Sequence, residues 1–362
     1  MRVIHIAPFF YPNKGGVEEY VFQISKFLVN HGIDVEVFTT NILRGSTTKL
    51  NFFEIVERIK VLRFKPIIRL GNFGSFWPQF IYFLFKKKVD LVHVHVYRHP
   101  HTLLAALICK LKRIPCIITT HSPFHSSTTL KRKLLLLIFD NLFSRYLRLF
   151  DKVIVINKEE LRRFKFLSKE KIVLLPHGVP SYFLSKFSRF RSKQKRKVLL
   201  FVGRVHPSKG IDFLINACSL IKNYKKITIN VVGPIEDRKY YRQLKLKIDN
   251  YGLDVRFLGE KKREELPNLY DNGDILILPS PYEAFGIVIL EAFARGKPVI
   301  AVDSDGPRFL IENGENGFLV KYGDIKSLAN YIEILLKNKK LYRKISKNNK
   351  NKAKQFTWDK IV

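Results

Sequence analysis

The sequence predicts an α/β chain built of two doubly wound domains, and three observations carry that prediction. Short β-branched runs alternate with longer amphipathic stretches almost from end to end. The alternation breaks once, at a basic stretch poor in aliphatic residues, and then restarts. At 362 residues, the chain also exceeds the roughly 100–200 residues of one ordinary domain.

In the first half, strand candidates lie at residues 3–7, 34–39, 60–64, 91–95, 116–120, 152–156 and 172–175. Amphipathic helical segments separate them, at 17–30, 102–112 and 130–149. Strands alternating with helices of this length form βαβ units around a parallel sheet. The pattern stops after Pro176-His177-Gly178-Val179. Residues 185–197 then carry seven Lys or Arg and form the linker candidate. Beyond it, strands are expected at 197–202, 226–232, 255–258, 275–278 and 298–302, with helices at 210–221, 240–250, 284–294 and 325–336. Such sheets bind ligands outside the carboxyl ends of their strands, so a ligand is expected in a crevice between the domains.

Composition narrows the setting. Hydrophobic residues make up 46%, enough for a core in each half, while 65 Lys+Arg against 31 Asp+Glu leave a formal charge of +34. That charge attracts a polyanion: nucleic acid, an anionic membrane surface or a phosphorylated substrate. Cys109, Cys116 and Cys218 are odd in number and show no CxxC spacing. A disulfide framework or zinc ribbon is therefore not expected, and a reducing cytosol is the simpler reading. No apolar h-region follows Met1-Arg2, so no secretory leader is expected. No run reaches the ~18 apolar residues of a membrane span. A cytoplasmic chain, soluble or peripheral on the cytoplasmic membrane face, is the expectation.

Two motifs point to chemistry. In Phe201-Val202-Gly203-Arg204-Val205-His206-Pro207-Ser208-Lys209-Gly210, a buried strand runs into a glycine, a loop with two cations, and a glycine opening a helix. Helix N-termini offer backbone N–H groups and a positive dipole end to anions. Arg204 and Lys209 could then clamp a diphosphate. No GK[ST] ending is present, so this is not a Walker A loop; the plain alternative is a βα turn with surface cations. The second motif runs from Pro279 to Ala292 and sets Glu283 and Glu291 eight positions apart. Glu283 falls in the loop after a strand. Glu291 sits in the following helix among Ile289, Leu290, Ala292 and Phe293, where a carboxylate is costly to bury without hydrogen-bond donors. Ribose hydroxyls would supply them; a helix cap and a surface charge are the plain alternatives.

Together these residues resemble the donor site of glycosyltransferase family 4, whose members share the GT-B fold of two Rossmann-like domains facing a central cleft. The likeness runs through Ala294-Arg-Gly296-Lys-Pro298-Val-Ile-Ala and Asn313-Gly-Glu-Asn-Gly317-Phe-Leu-Val to Phe356-Thr357-Trp358. In the first half it includes Pro12-Asn-Lys-Gly15-Gly16-Val17-Glu18, Thr119-Thr120-His121 and Leu175-Pro176-His177-Gly178-Val179. The implied division is an acceptor-side domain at 1–180 and a donor domain at 181–344, with about 345–362 packing back on the first.

The resemblance also implies roles. Arg204 and Lys209 would stabilise the donor diphosphate and the charge developing on the leaving group. Glu291 would hold the ribose, while Glu283 with the backbone of Phe285 and Gly286 would face the transferred sugar and the phosphates. Gly15 and Gly16 would form a tight loop near phosphates and acceptor, His121 would contact the sugar, and Gly203 would open the phosphate loop. Backbone near Gly233 and Leu258 would meet the base. Anomeric configuration would be retained and no metal or other cofactor required. The expected partners are a UDP- or GDP-linked sugar, a glycan or lipid-linked acceptor, and an anionic membrane surface, with no nucleic acid. Two departures bear on which sugar is moved: Pro176-His177-Gly178-Val179-Pro180 replaces Pro-Asn-Gly-Val-Asp, and Asp305-Gly306-Pro307-Arg308-Phe309 replaces Gly-Gly-x-Pro-Glu.

Other signals weigh less. Asp303-Ser304-Asp305 matches an Asp-x-Asp metal pattern but reads better as a solvated turn. His93 and His95 share a strand face, as metal ligands could, yet no acid or Cys adjoins them or His99 and His101. His125 reads as a loop residue. Segment 130–149, with Lys131-Arg132-Lys133 and an apolar run, and Phe164, Phe166, Phe183, Phe187 and Phe190 among cations suit an anionic membrane interface. The competing functions are a sugar-nucleotide epimerase or phosphorylase of the same fold, and a nucleic-acid-binding protein using the charge. No RRM, KH, helix-turn-helix or zinc module supports the last.

Overall fold

A computed structural model of the chain describes residues 1–44, 46–69, 75–121, 140, 144–185, 196–222 and 224–362. It divides into two compact units, Met1–His177 with Ile361–Val362, and Gly178–Lys360. Each is built on its own sheet.

The first unit contains strands β1 (Arg2–Ile6), β2 (Asp34–Thr40), β3 (Phe53–Val56), β4 (Ile59–Phe64), a small hairpin β5 (Ile68–Arg69) and β6 (Ser75–Phe76), then β7 (Leu91–His95), β8 (Cys116–Thr119), β9 (Lys152–Val155) and β10 (Ile172–Leu174). Eight of them form one sheet in the order β10-β9-β8-β7-β1-β2-β4-β3. All neighbours are parallel except β3 with β4. Near-continuous apolar strands are what a sheet covered on both faces requires. Ile4, Ile6, Val92, Val94, Ile118 and Val153 accordingly lie in one buried core. The order reverses between β1 and β7, which is where such a sheet opens a crevice.

The second unit contains β11 (Lys197–Val202), β12 (Ile227–Val232), β13 (Asp254–Gly259), β14 (Ile275–Leu278), β15 (Val299–Val302) and β16 (Phe318–Val320). They form a fully parallel sheet in the order β13-β12-β11-β14-β15-β16. This is the Rossmann order, with its switch point between β11 and β14. Helices Ile211–Ser219, Arg238–Tyr251 and Ile325–Lys337 cover the sheet through Phe213, Leu214, Leu244, Ile248, Leu328 and Ile332.

Most expected elements are present within a residue or two. Three corrections matter. The helix expected from 284 begins only at Ile287, because Gly286 takes φ 86 as its cap. The closing segment belongs mainly to the second unit: Ile345, Asn349 and Ala353 of helix Lys339–Ala353 are buried there, and Asn349 Nδ2 donates to Lys297 O at 2.8 Å. Of the helix expected at 130–149, Asp140 is helical while Ser144–Leu149 is a 3-10 turn. Segments 122–139 and 141–143, with His125 and Lys131-Arg132-Lys133, lie outside the described residues, as do linker residues 186–195 with Phe187 and Phe190.

Candidate functional site

The carboxyl edge of the second sheet gathers the residues singled out in the sequence. After β11, Gly203 N–H donates to Val232 O at 2.9 Å. Gly233, after β12, lies so close that a Cβ there would sit 2.0 Å from Gly203 O. Only a residue without a side chain permits that approach, so glycine is needed at position 233 to bring the two loops together. Between β12 and β13 the register shifts: Val231 pairs with Phe257 and Val232 with Gly259, leaving Leu258 outside the ladder. Its backbone is thus held at the strand end without a partner position in the sheet.

The loop after β14 is anchored on both sides. Glu283 N–H donates to Ser304 Oγ at 3.2 Å, and Gly306 N–H donates to Glu283 O at 3.0 Å. A Cβ on Gly306 would fall 2.4–2.5 Å from three backbone atoms of Phe285. This close packing holds the stretch Glu283–Gly286 directly over helix Asp305–Leu310. Phe285 is buried, and helix Ile287–Ala294 begins immediately after it, its first-turn N–H groups pointing toward the same edge.

Charges at this edge are paired. Lys209, in a 3-10 turn, forms a short ion pair with Glu283, both largely shielded from solvent. Arg204 pairs with Glu236 at 2.5 Å, both more than a third exposed. Each of the two cations thus holds a carboxylate. An entering anion would exchange one partner for another, which keeps the cations positioned before binding. The loop carrying Arg204 is also tied to the segment after β12, since Val205 N–H donates to Pro234 O at 2.8 Å.

Glu291 is 8% exposed and accepts from Tyr270 Oη at 2.6 Å. A tyrosine hydroxyl therefore supplies one of the donors that the sequence argument assigned to ribose. Burial, and then the adjacent carboxylate, push the Tyr270 hydroxyl well above its ordinary value, so it remains a donor. Glu236, Ser304 and Tyr270 were not singled out in advance. Nothing local marks them, because each is recognised only by a partner 21 to 32 positions away. Asp303 pairs with Arg308 at 2.8 Å and Asp305 accepts from Tyr282 Oη at 3.5 Å, so the Asp-x-Asp carboxylates are already engaged.

Gly15, Gly16 and His121 belong to the first unit. Gly15 caps helix Gly16–Asn30, and Glu18 in its first turn is buried and paired with Arg44 at 2.8 Å. The glycines thus sit at a helix start rather than in a free loop. His121 follows β8 with φ 56, in the left-handed region. It ends a run of buried imidazoles: His5 Nδ1 lies 2.9 Å from His95 Nε2, and His95 Nδ1 lies 3.2 Å from His121 Nε2. His93 Nε2 bonds Thr119 Oγ1 at 2.8 Å. His5, His93 and His95 offer nitrogens within 4.8 Å of one another, a spacing a metal ion could use. Both nitrogens of His95 are already engaged, so an ion there would have to break an existing bond.

A solved sucrose-phosphate synthase from Thermosynechococcus elongatus superposes with a TM-score of 0.79 at 23% identity, covering 100% of this chain and 96% of that one. The two Rossmann-like sheets are those of the GT-B class of nucleotide-sugar-dependent transferases. The model described as Glycosyltransferase Family 4 matches residues 14–181, and the one described as Glycosyl transferases group 1 matches 185–352. The chain belongs to glycosyltransferase family 4. It is 27% identical to an uncharacterized glycosyltransferase of Methanocaldococcus jannaschii over 100% of this chain and 96% of the relative. It is 28% identical to the Escherichia coli UDP-Gal:alpha-D-GlcNAc-diphosphoundecaprenol alpha-1,3-galactosyltransferase over 74% of this chain and 71% of that protein. This chain is a glycosyltransferase that moves a sugar from a nucleotide sugar to an acceptor.

Proposed function

We propose that the donor is a UDP-linked sugar, that its diphosphate is gripped by Arg204 and Lys209, and that transfer retains anomeric configuration without a metal ion. The observation that carries this reading is the shielded Lys209–Glu283 pair beside the switch point, next to the start of helix Ile287–Ala294. A cation and a helix N-terminus together favour an anion at that edge. Charge on the leaving diphosphate would then be offset by Arg204, Lys209 and the helix end. Glu291, oriented by Tyr270, would accept from the ribose hydroxyls. The named donor of the Escherichia coli relative supports uridine over guanosine.

The test is a hydrolysis screen over UDP- and GDP-sugars, with and without EDTA, followed by UDP titration of the preferred case. Turnover of a UDP-sugar in EDTA is expected. Glu291→Ala should weaken UDP binding by roughly 10–100-fold, the worth of hydrogen bonds to a charged group. Exclusive use of GDP-sugars, or dependence on a divalent ion, would overturn the corresponding part.

The acceptor we propose is lipid-linked, reached by peripheral binding to an anionic bilayer on the cytoplasmic face. Among the described residues no helix is long and apolar enough to cross a membrane. The first unit instead exposes Leu103, Leu107 and Leu111 on successive turns of one helix, and Tyr82 and Phe85 on another. The two helices are joined where Lys112 Nζ donates to Leu84 O and Phe85 O, at 3.0 and 2.6 Å. From residue 58 to 113 the chain has twelve Lys or Arg against one acid, Asp90. Apolar side chains rimmed by cations fit the interface of anionic lipid. Co-sedimentation with phosphatidylglycerol vesicles should be strong at low salt, fall with added salt, and drop roughly tenfold or more in Leu107→Asn/Leu111→Asn. No binding at low salt would remove the membrane from the proposal.

A further inference from the structure

An arginine occupies a core position at the carboxyl edge of the first sheet. Along β4, Ile59 and Val61 alternate onto the face that packs against Phe10 and Phe22, and Val35 and Val37 do the same along β2. The next position on that face is Arg63 on β4, with Thr39 beside it in register on β2. Arg63 is 2% exposed and Thr39 0%. A guanidinium in such a place is costly unless acceptors meet its five N–H groups.

They are met only in part. Nη2 donates to Tyr11 O at 2.8 Å, in the loop that follows β1. Nη1 lies 2.7 Å from Glu54 Oε2 on β3, an ion pair without an aligned hydrogen bond. Nε has no partner, and neither has the Thr39 hydroxyl. Glu54 is the one carboxylate paired with Arg63 among the described residues, and its side chain is 46% exposed. The positive charge is thus fixed in the core while the negative charge that balances it stands half in water. A guanidinium is always charged, so losing a proton cannot relieve the mismatch.

A purely structural clamp accounts for Nη2, which ties β4 to the loop after β1. It does not account for the Nε–H, for the Thr39 hydroxyl, or for balancing a buried cation with a surface acid. Buried donors in native proteins almost always have a partner, and an anion would supply one to both spare groups. The group that already balances Arg63 is a carboxylate, whose planar oxygen pair matches a guanidinium fork. Both residues also stand at the strand ends where parallel sheets receive ligands.

We infer that Arg63 and Thr39 form a binding site for the carboxylate of a sugar acid, with Glu54 as the resident group which that carboxylate displaces. The incoming carboxylate takes over the charge of Arg63 and accepts from Nε and from the Thr39 hydroxyl, while Glu54 swings out into solvent. The site lies wholly within the first unit. That the sugar acid belongs to the acceptor rests on the proposed function; the site itself does not.

The test is a titration of the full chain, labelled with ¹⁵N-arginine, with sodium glucuronate at fixed ionic strength. The readout is the Nε–H signal of Arg63, assigned by its loss in Arg63→Lys. That signal should move progressively with glucuronate and stay still with glucose or with chloride. In Glu54→Gln, which removes the competing charge from an exposed side chain, the midpoint should fall roughly two- to fivefold, the worth of a half-exposed ion pair. In Thr39→Val the midpoint should rise. A signal that ignores glucuronate in both the wild type and Glu54→Gln overturns the inference, as does an unchanged midpoint in Glu54→Gln. A tighter response to inorganic phosphate overturns the carboxylate as the ligand. Failure of the acceptor reading looks different: the Arg63 signal still responds to glucuronate, while glucuronate does not slow transfer to a lipid-linked saccharide.

Discussion

Arg204→Ala and Lys209→Ala should each lower kcat on the order of 10²–10³-fold, the loss expected when a preorganised charge facing a developing anion is removed. The two should differ in side effects. Arg204 is paired with an exposed Glu236, so its removal strands no buried charge and thermal stability should hold. Lys209 is paired with Glu283 where both are largely shielded, so alanine leaves a carboxylate facing the space meant for phosphate. Lys209→Ala should therefore also raise the KM for the nucleotide sugar, and Glu283→Gln added to it should recover part of that rise. Steady-state kinetics on the donor found in the hydrolysis screen decides the matter. Wild-type turnover in both single variants and the double would take these cations out of the reaction.

The second large effect concerns stability. Arg295→Met should cost about 3–5 kcal/mol of unfolding free energy in the second unit, because it breaks a buried ion pair from one side. Arg295 and Asp271 are 2% and 8% exposed, joined through Nε at 2.9 Å and Nη2 at 2.5 Å. The remaining Nη1 donates to Phe183 O and Ser185 O at 3.0 and 2.8 Å. Methionine fills much of the volume but leaves a desolvated carboxylate and two carbonyls without their donor. Adding Asp271→Leu should return a large part of the loss, since replacing both members of such a pair by apolar groups is often neutral. Denaturant titration of the single and double variants measures it. A loss below about 1 kcal/mol in the single variant would show that the pair is solvated.

Much of the architecture was legible before any coordinates. Strands such as 197–202 and 275–278 stand out because a sheet covered on both faces needs unbroken apolar runs, and the basic break at 185–197 separates two sets of them. What escaped notice was short or half-exposed. β3 has only four residues, three of them exposed, so no burial pattern marks it. The late start of helix Ile287–Ala294 depends on the φ of Gly286, which composition does not reveal.

The site divides along the same line. The sequence singled out Arg204, Lys209, Glu283 and Glu291 through two motifs and their resemblance to the family 4 donor site. It also placed His93 and His95 on one face, since that follows from a period of two. Sequence could not supply the partners: Glu236 for Arg204, Tyr270 for Glu291, Ser304 beneath Glu283, and His5 bonded to His95 across 90 positions. Those contacts come from the parallel register of strands distant in the chain, and side-chain charge and proton placement respond to what lies in space within a few ångströms. Residue type and spacing thus determined which chemistry this chain can perform, while tertiary packing decided which atoms are already engaged.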